Sequence, residues 1–172
     1  MVTLALALAL AFPAHHSANA TFTLPLRGVL VPGKALAGVH LGDTVRSVKG
    51  RWGTNYRLCP TCNPKNSGRQ TWFYTYMQDA QSLGAAVTFN KAGKVVAVFT
   101  LGSPQGWRTQ EGLLLGEQID RVQDLYGTLR WRVCIGYGAL SMRRPGIVTS
   151  IYTNGEAVYG FALTAPSEPV CQ

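Results

Sequence analysis

Two cysteines separated by two residues form the pattern in this chain with the clearest chemistry. Cys59-Pro60-Thr61-Cys62 is a C-x-x-C motif, and such a pair at a helix N-terminus exchanges disulfides because its surroundings lower the pKa of one thiol. Here the motif lies in a proline-rich loop, without the βαβ setting that such redox proteins have. A structural ring is therefore the favoured interpretation, and thiol–disulfide exchange by Cys59 and Cys62 is the alternative.

The chain has 4 cysteines, and an even number in an exported protein indicates disulfides in preference to a metal site. Three pairings are possible. Cys134 follows the second predicted helix as Cys59 follows the first, and Cys171 is placed to clamp the C-terminal tail. We therefore predict the bridges Cys59–Cys62 and Cys134–Cys171.

Other catalytic chemistry has little support in the sequence. After residue 20 the only histidine is His40, and its apolar surroundings indicate a packed core residue and not a base. The sequence contains no H-E-x-x-H motif, no G-x-S-x-G turn and no phosphate-binding glycine loop. Acidic residues are sparse, and no pair is spaced as a glycosidase dyad. We expect no catalytic residue, no metal site and no cofactor.

The N-terminal residues 1–20 are predicted to be a secretory signal peptide. Val2 to Phe12 is an apolar run too short to span a bilayer, and Ala18-Asn19-Ala20 fits a cleavage site. A buried N-terminal strand or helix is the alternative. No later segment is apolar enough to cross a membrane. We expect a protein that is secreted or associated with the cell wall and does not span the membrane.

The charge balance indicates the kind of partner. Lys and Arg number 16 against 8 Asp and Glu, for a net charge of +8, which favours an acidic protein or an anionic cell-wall component. Solubility in an acidic environment is the simpler alternative. No basic run exceeds Arg143-Arg144 and no nucleic-acid motif is present, so nucleic acid is not expected. We expect a monomer.

A repeated stretch organises the chain. Residues 38–54 recur as residues 112–128 without a gap (112 − 38 = 74), with glycines at equivalent places and apolar residues three and seven positions apart. This spacing predicts a short amphipathic helix in each copy. The chain is therefore interpreted as the duplication of one unit.

The ends of both helices are marked by particular residues. Asp43 or Thr44 is the predicted cap at the start of the first helix, and Glu117 is a weaker cap at the start of the second. Gly53 and Gly127 are predicted to end the helices, because a C-terminal cap residue often needs a positive φ.

Each helix is followed by strand candidates. They are 71–77, 85–89 and 94–101 in the first copy, and 129–135, a short strand near 139–142, 147–152 and 157–163 in the second. Asn154-Gly155 is the strongest hairpin signal, and Gly155 corresponds to Gly93 (155 − 93 = 62). On the same count Phe99 corresponds to Phe161.

These elements predict an α+β fold: two tandem α-β-β-β units forming an antiparallel sheet with short helices on one face. The predicted organisation is a signal peptide 1–20, an extended leader 21–37, repeat unit 1 at 38–102, a linker 103–111, repeat unit 2 at 112–164 and a C-terminal tail 165–172.

Strand 71–77 carries large side chains on both sides. One side holds Trp72, Tyr74 and Tyr76, and the other holds Phe73, Thr75 and Met77. Whichever side faces away from the helices is therefore rich in exposed aromatic surface, which is typical of a binding surface. The alternative is that the leader or the tail covers these aromatic side chains.

A family resemblance follows from these motifs. A short helix opened by Leu41-Gly42-Asp43-Thr44, closed by Trp52-Gly53 and followed by a meander, twice over, resembles the β-lactamase-inhibitory-protein (BLIP) fold. The single unit is similar to envelope modules of the BamE (SmpA/OmlA) type. In that family an aromatic sheet face grips a partner protein. The corresponding residues here are Trp72, Tyr74, Tyr76, Trp131 and Tyr152, with Trp107 near the junction.

The resemblance implies a secreted, non-catalytic module that binds a protein or cell-envelope partner, with an inhibitor-like role as one form of that function. A structural cell-envelope scaffold is a further alternative.

Overall fold

The computed structural model describes residues 27–74, 84–102, 104 and 106–172. The predicted signal peptide, the start of the leader and Tyr76 lie outside the described residues. In chain order the elements are β1 (Val29–Val31), β2 (Ala35–Leu36), α1 (Val45–Trp52), β3 (Arg57–Leu58), β4 (Gln70–Tyr74), β5 (Ala85–Phe89), β6 (Val95–Thr100), β7 (Arg108–Thr109), α2 (Asp120–Tyr126), β8 (Arg130–Cys134), β9 (Tyr137–Arg144), β10 (Ile147–Thr153) and β11 (Val158–Thr164).

Helix α1 begins and ends as the sequence predicts. The Thr44 hydroxyl accepts a hydrogen bond from the Ser47 N–H at 3.1 Å, which satisfies one of the free amides of the first turn. Gly53 has a φ of 83° and donates its N–H to the Lys49 carbonyl at 2.9 Å. A residue with a side chain is strained at this φ, so glycine ends the helix here.

The two predicted acidic caps have a different role. The Asp43 carboxylate accepts the His40 N–H at 2.9 Å, and the Glu117 carboxylate accepts the Leu114 N–H at 2.9 Å. Both close the turn before the helix, and α2 has no side-chain cap. Of the two candidates for the first cap, Thr44 and not Asp43 caps α1, and the prediction that Glu117 caps α2 is wrong. His40 is also not a core residue, because 42% of its side chain is exposed.

The main sheet has eight antiparallel strands in the order β3-β4-β5-β6-β11-β10-β9-β8. The predicted α+β class is confirmed. Strand β9 is longer than the short strand predicted near 139–142. No helix among the described residues has both the length and the apolar character that a bilayer crossing requires.

A second, smaller sheet has the order β2-β1-β7. Strand β1 pairs antiparallel with β2 and parallel with β7. The end of the leader therefore forms a hairpin of its own and does not add an edge strand to the main sheet, and part of the predicted linker supplies the third strand. Leu30 and Leu36 of this small sheet, together with Val39 in the segment after β2, are fully buried in the core on the same side as the helices.

The two faces of the main sheet are covered differently. The helix face carries α1, α2 and the small sheet, which pack on Val87, Phe89, Ile151 and Phe161. The opposite face, here called the tail face, carries both alanines such as Ala86 and Ala162 and the rings of Phe99 and Tyr152, and residues 165–172 lie against it.

Two backbone hydrogen bonds test the predicted correspondence between the strands that follow the two repeated stretches. Gly42 donates its N–H to the Val95 carbonyl at 2.8 Å, and Gly116 donates to the Val158 carbonyl at 2.8 Å. The two acceptor residues are 63 positions apart (158 − 95 = 63), whereas the glycine count predicts 62. Since a shift of one residue changes the face of a strand, the predicted equivalence of Phe99 and Phe161 is wrong. Phe99 lies on the tail face, opposite Ala162.

Candidate functional site

The structure buries four of the aromatic residues proposed for binding. Trp72 is 4% exposed, and Tyr74, Trp107 and Tyr152 are fully buried. Trp72 and Tyr74 lie on the helix face, since they pair with Val87 and Ala85 of β5. The prediction that these four side chains form an open face is wrong, because the helices, the small sheet and the tail cover them.

The aromatic side chains of the helix face form one packed cluster. The Trp52 ring meets Tyr74 at 5.3 Å and Trp107 at 5.6 Å between ring centroids, both edge to face. Tyr56 stacks on Trp72 at 3.8 Å. Aromatic pairs of this kind each contribute about 0.5–1.5 kcal/mol beyond area burial. The cluster therefore joins α1, the predicted linker and the main sheet, which is a structural role.

On the tail face, Tyr152 is covered by the chain's own C-terminal residues. Its hydroxyl donates a hydrogen bond to the Val170 carbonyl at 2.6 Å, and the Tyr137 hydroxyl donates to the Gln172 carbonyl at 2.7 Å. For Tyr152 the structure therefore shows the alternative arrangement, in which the tail covers a proposed binding residue.

The buried Tyr152 hydroxyl predicts loss of stability in alkaline solution. Burial raises its pKa well above the usual value, and nearby Tyr137 adds to the rise. Above about pH 10 the unfolded chain loses this proton first. The stabilisation is therefore complete below about pH 10 and falls above it, by up to about 1.4 kcal/mol per pH unit.

We expect Tyr152→Phe to make this decline shallower, although the lost hydrogen bond costs about 1 kcal/mol at neutral pH. Urea unfolding between about pH 8 and about pH 12 measures both effects. Equal slopes for the variant and the parent chain would contradict the prediction.

Both predicted disulfides are present. Cys59 is bonded to Cys62, and Cys134 is bonded to Cys171, with 5.5 Å between the Cα atoms in each pair. The Cys59–Cys62 ring follows β3 in the loop before β4, and it does not begin a helix. The Cys134–Cys171 bridge ties the tail to the end of β8.

A cavity of about 340 Å³ lies where the tail meets the loop 59–69. Arg69 and Glu168 form an ion pair with 2.8 Å between their charged atoms, and the Glu168 side chain is only 7% exposed. The hydroxyls of Thr71 and Thr88 in its wall bond each other at 2.8 Å. These polar groups are already partnered, which favours a structural role for this cavity as the place where the tail is anchored.

The main exposed apolar side chains lie on and beside the edge strand β8. Trp131 is 50% exposed, Val133 is 78% exposed and Ile135 is 99% exposed. Arg130 and Arg132 alternate with them and are also exposed. Of the predicted binding residues that the structure describes, Trp131 is therefore the one on an open surface. Four further residues of this surface are absent from the predicted binding residues: Arg130, Arg132, Val133 and Ile135. The alternation of arginine with apolar residues in 129–135 is the sequence signal that indicates them.

The two ends of the main sheet differ in how they are protected. Strand β3 at one end has only two residues and runs directly into the proline-containing ring at Cys59. Short edge strands and prolines are devices that block further strand pairing. Strand β8 at the other end has five residues, and among the described strands it pairs with β9 alone. The sheet is thus blocked at one edge and open at the other.

A shallow apolar groove adjoins β8 on the helix face. It has a volume of about 220 Å³ and lies between α2 and β9, with Val122, Leu129 and Leu140 in its walls. Leu140 pairs directly with Trp131. The Trp131 indole lies against Gly138, where an added Cβ would come within 2.1 Å of the ring. The glycine therefore allows the indole to lie flat beside the groove.

The fold and this edge define a small α+β protein with a long antiparallel sheet, short helices on one face and two disulfides. No protein-family model matches the sequence, and no curated protein matches it. Solved structures with a similar fold do exist.

One of them is YjgB, a DUF4309 family protein from Bacillus subtilis subsp. subtilis str. 168. It is 12% identical with a TM-score of 0.53, over 76% of this chain and 84% of that chain. Another is a cysteine-rich secretory protein, SAV1118, from Staphylococcus aureus subsp. aureus Mu50. It is 10% identical with a TM-score of 0.50, over 78% of this chain and 46% of that chain. Both likenesses concern the fold alone, and the resemblance to the BLIP and BamE folds stays a prediction.

Proposed function

We propose that this chain is a secreted, non-catalytic module that binds a partner protein through the β8 edge, which comprises Arg130, Trp131, Arg132, Val133 and Ile135. Three neighbouring apolar side chains are exposed on and beside β8, whose outer edge pairs with no other described strand, and this observation carries the proposal. It moves the site from the aromatic sheet face that the family resemblance implies to the end of the sheet.

The composition of the edge supports a protein partner. Tryptophan and arginine are enriched at protein interfaces and dominate their binding energy. Burying a fully exposed valine or isoleucine side chain contributes about 1.5–3 kcal/mol. Covering Val133 and Ile135 would thus offset a substantial part of the free energy, roughly 4–15 kcal/mol, that association costs in lost translational and rotational entropy.

Secretion is supported by three observations. The N-terminal residues fit a signal peptide, the described cysteines form disulfides, and one similar structure is that of a secretory protein. Disulfides form and persist mainly in oxidising compartments.

A duplicated ancestral unit is part of the same proposal. The carboxylate that closes each pre-helix turn, Asp43 or Glu117, accepts an N–H from a residue three positions earlier. These acceptors are 74 residues apart (117 − 43 = 74). Such recurring bonds support two copies that meet at β6 and β11, as in the family resemblance.

A photo-crosslinking amino acid placed at Ile135 tests the proposed surface. Replacing this turn residue disturbs no packing, because its side chain is 99% exposed. We expect a discrete protein adduct when the variant is secreted by cells that produce the chain. Adding Trp131→Ala should weaken the adduct about tenfold, since central interface tryptophans often contribute more than 1 kcal/mol.

Leu58 is the matched control, since it is 62% exposed on the blocked edge strand β3. The same crosslinker there should give no such adduct. Equal adducts from Leu58 and Ile135, or none from Ile135, would contradict the proposed function.

A further inference from the structure

We infer that the partner docks on β8 as an additional strand, an extended acidic segment in which acidic and apolar residues alternate. This inference rests on the proposed function and adds the chemistry of the partner and the mode of docking.

The backbone of β8 offers a row of groups for strand addition. Strands β8 and β9 are joined by the two-residue turn Ile135-Gly136, and Cys134 pairs with Tyr137 at its base. The pair that closes a two-residue turn is hydrogen-bonded, and hydrogen-bonded pairs alternate with non-bonded pairs along the hairpin. The backbone N–H and C=O groups of Arg130 and Arg132 therefore point toward β9. The N–H and C=O groups of Trp131 and Val133 then point outward, away from the sheet.

The C-terminal bridge limits this free row at one end. The Cys171 sulfur lies 3.7 Å from the Val133 carbonyl oxygen. The ladder open to a partner therefore starts at the Val133 N–H and runs toward Arg130. It leaves three outward backbone groups, namely the Val133 N–H and the N–H and C=O of Trp131, and in strand addition such groups supply affinity while the side chains supply specificity.

The side chains beside this ladder set the pattern of the partner. Trp131 pairs with Leu140 on the helix face, whereas Arg132 pairs with Ala139 on the tail face. No ion pair to Arg130 or Arg132 is formed within the described part of the chain. A docked strand stabilises this edge when its tail-face residues are acidic and its helix-face residues are apolar.

Like-charge repulsion makes a second copy of this chain a poorer partner for β8 than an acidic strand. Antiparallel pairing of two β8 strands would bring Arg130 and Arg132 against their own counterparts, and like charges directly opposed destabilise a strand pair. Each chain also carries a net charge of +8, which adds repulsion at longer range. An acidic strand meets neither cost.

Fluorescence anisotropy with a labelled peptide of about nine alternating Glu and Val residues tests the inference, since strands of about five to six residues are typical. We expect binding that weakens with added salt. Arg130→Glu with Arg132→Glu should weaken it at least about tenfold. A Lys-Val peptide of the same length should then bind this double variant in preference to the parent chain.

The control double variant is Arg46→Glu with Lys65→Glu. Both residues are exposed and lie away from β8, and the net charge changes by the same amount. We expect this control to bind the Glu-Val peptide within about twofold of the parent chain, because long-range charge is screened. Equal loss of binding in the control would overturn the inference in favour of general electrostatic attraction.

Backbone methylation separates strand addition from charge attraction. N-methyl groups on alternate peptide residues remove the donors along one edge of the peptide strand only. One of the two complementary methylated peptides should lose binding and the other should keep it. If both bind like the parent peptide, or neither the parent peptide nor its variants bind, strand addition is overturned.

These results are independent of the crosslinking test. An adduct at Ile135 without binding of the Glu-Val peptide would retain the proposed function and overturn the acidic strand. Peptide binding without any adduct at Ile135 would support the docking chemistry and contradict a protein partner in the producing cells.

Discussion

Replacing Trp52 with alanine should lower the free energy of unfolding by about 3–5 kcal/mol. The Trp52 side chain is fully buried at the end of α1 and packs edge to face on both Tyr74 and Trp107. Its indole N–H donates a hydrogen bond to the Ala37 carbonyl at 3.0 Å. The substitution thus opens a large cavity and leaves the partly buried Ala37 carbonyl without this donor.

Urea unfolding, followed by circular dichroism, measures this effect. Trp131→Ala is the matched control, since it removes the same side chain from the half-exposed edge. We expect the control to cost below about 1.5 kcal/mol, because less apolar area is lost and no cavity forms. A loss of less than about 1 kcal/mol for Trp52→Ala would show that the aromatic cluster does not hold the helix to the sheet.

Removing the Cys134–Cys171 bridge should cost about 4 kcal/mol. The bonded cysteines are 37 residues apart, and a bridge of this span restricts the unfolded chain strongly on the loop-entropy model. The bridge also holds the tail whose backbone accepts the Tyr152 hydrogen bond. The paired change Cys134→Ser with Cys171→Ser should therefore both lower stability and release residues 165–172 from the sheet.

The same paired change at Cys59 and Cys62 is the control. Its ring spans a separation of 3 residues, so the loop-entropy model gives only about 2 kcal/mol. Urea unfolding compares the two variants, and limited proteolysis reports whether the tail is cut before the rest of the chain. Equal stability losses, or a tail that stays protected in the first variant, would contradict the prediction.

Local chemistry explains what could be read from the sequence. Gly53 marks the end of α1 because one backbone angle decides it, and Asn154-Gly155 marks a hairpin for the same reason. The pairing of the cysteines in both disulfides could be predicted from their positions along the chain. Such features depend on a few neighbouring residues, so the rest of the fold does not change them.

The side of the sheet that each residue faces could not be read in the same way. Alternation placed Trp72 and Tyr74 together, but it does not say which side the helices cover. The glycine count predicts the same face for Phe99 and Phe161, but the strand register differs from that count by one residue, and the two rings lie on opposite faces. Trp107 is buried because the small sheet forms, and that pairing joins segments far apart in the chain.

The candidate site could not be predicted from local sequence patterns, because it depends on the order of the strands in the main sheet. The sequence predicts Trp131 as an aromatic residue on a sheet face, whereas its exposure comes from the position of β8 as the last strand of the main sheet. Strand order is a property of the whole chain. Once that order is known, the alternating arginines on either side of Trp131 become informative.

The order of the eight strands also has a consequence for how the chain acquires its structure. Each half of the main sheet is a meander of sequence neighbours, and the halves are joined in this sheet only where β6 meets β11. Closing that seam brings together Phe99 and Ala162, 63 residues apart (162 − 99 = 63). The chain loses loop-closure entropy before such a distant contact can stabilise it. The seam is therefore expected to form late and to set the rate at which the molecule folds.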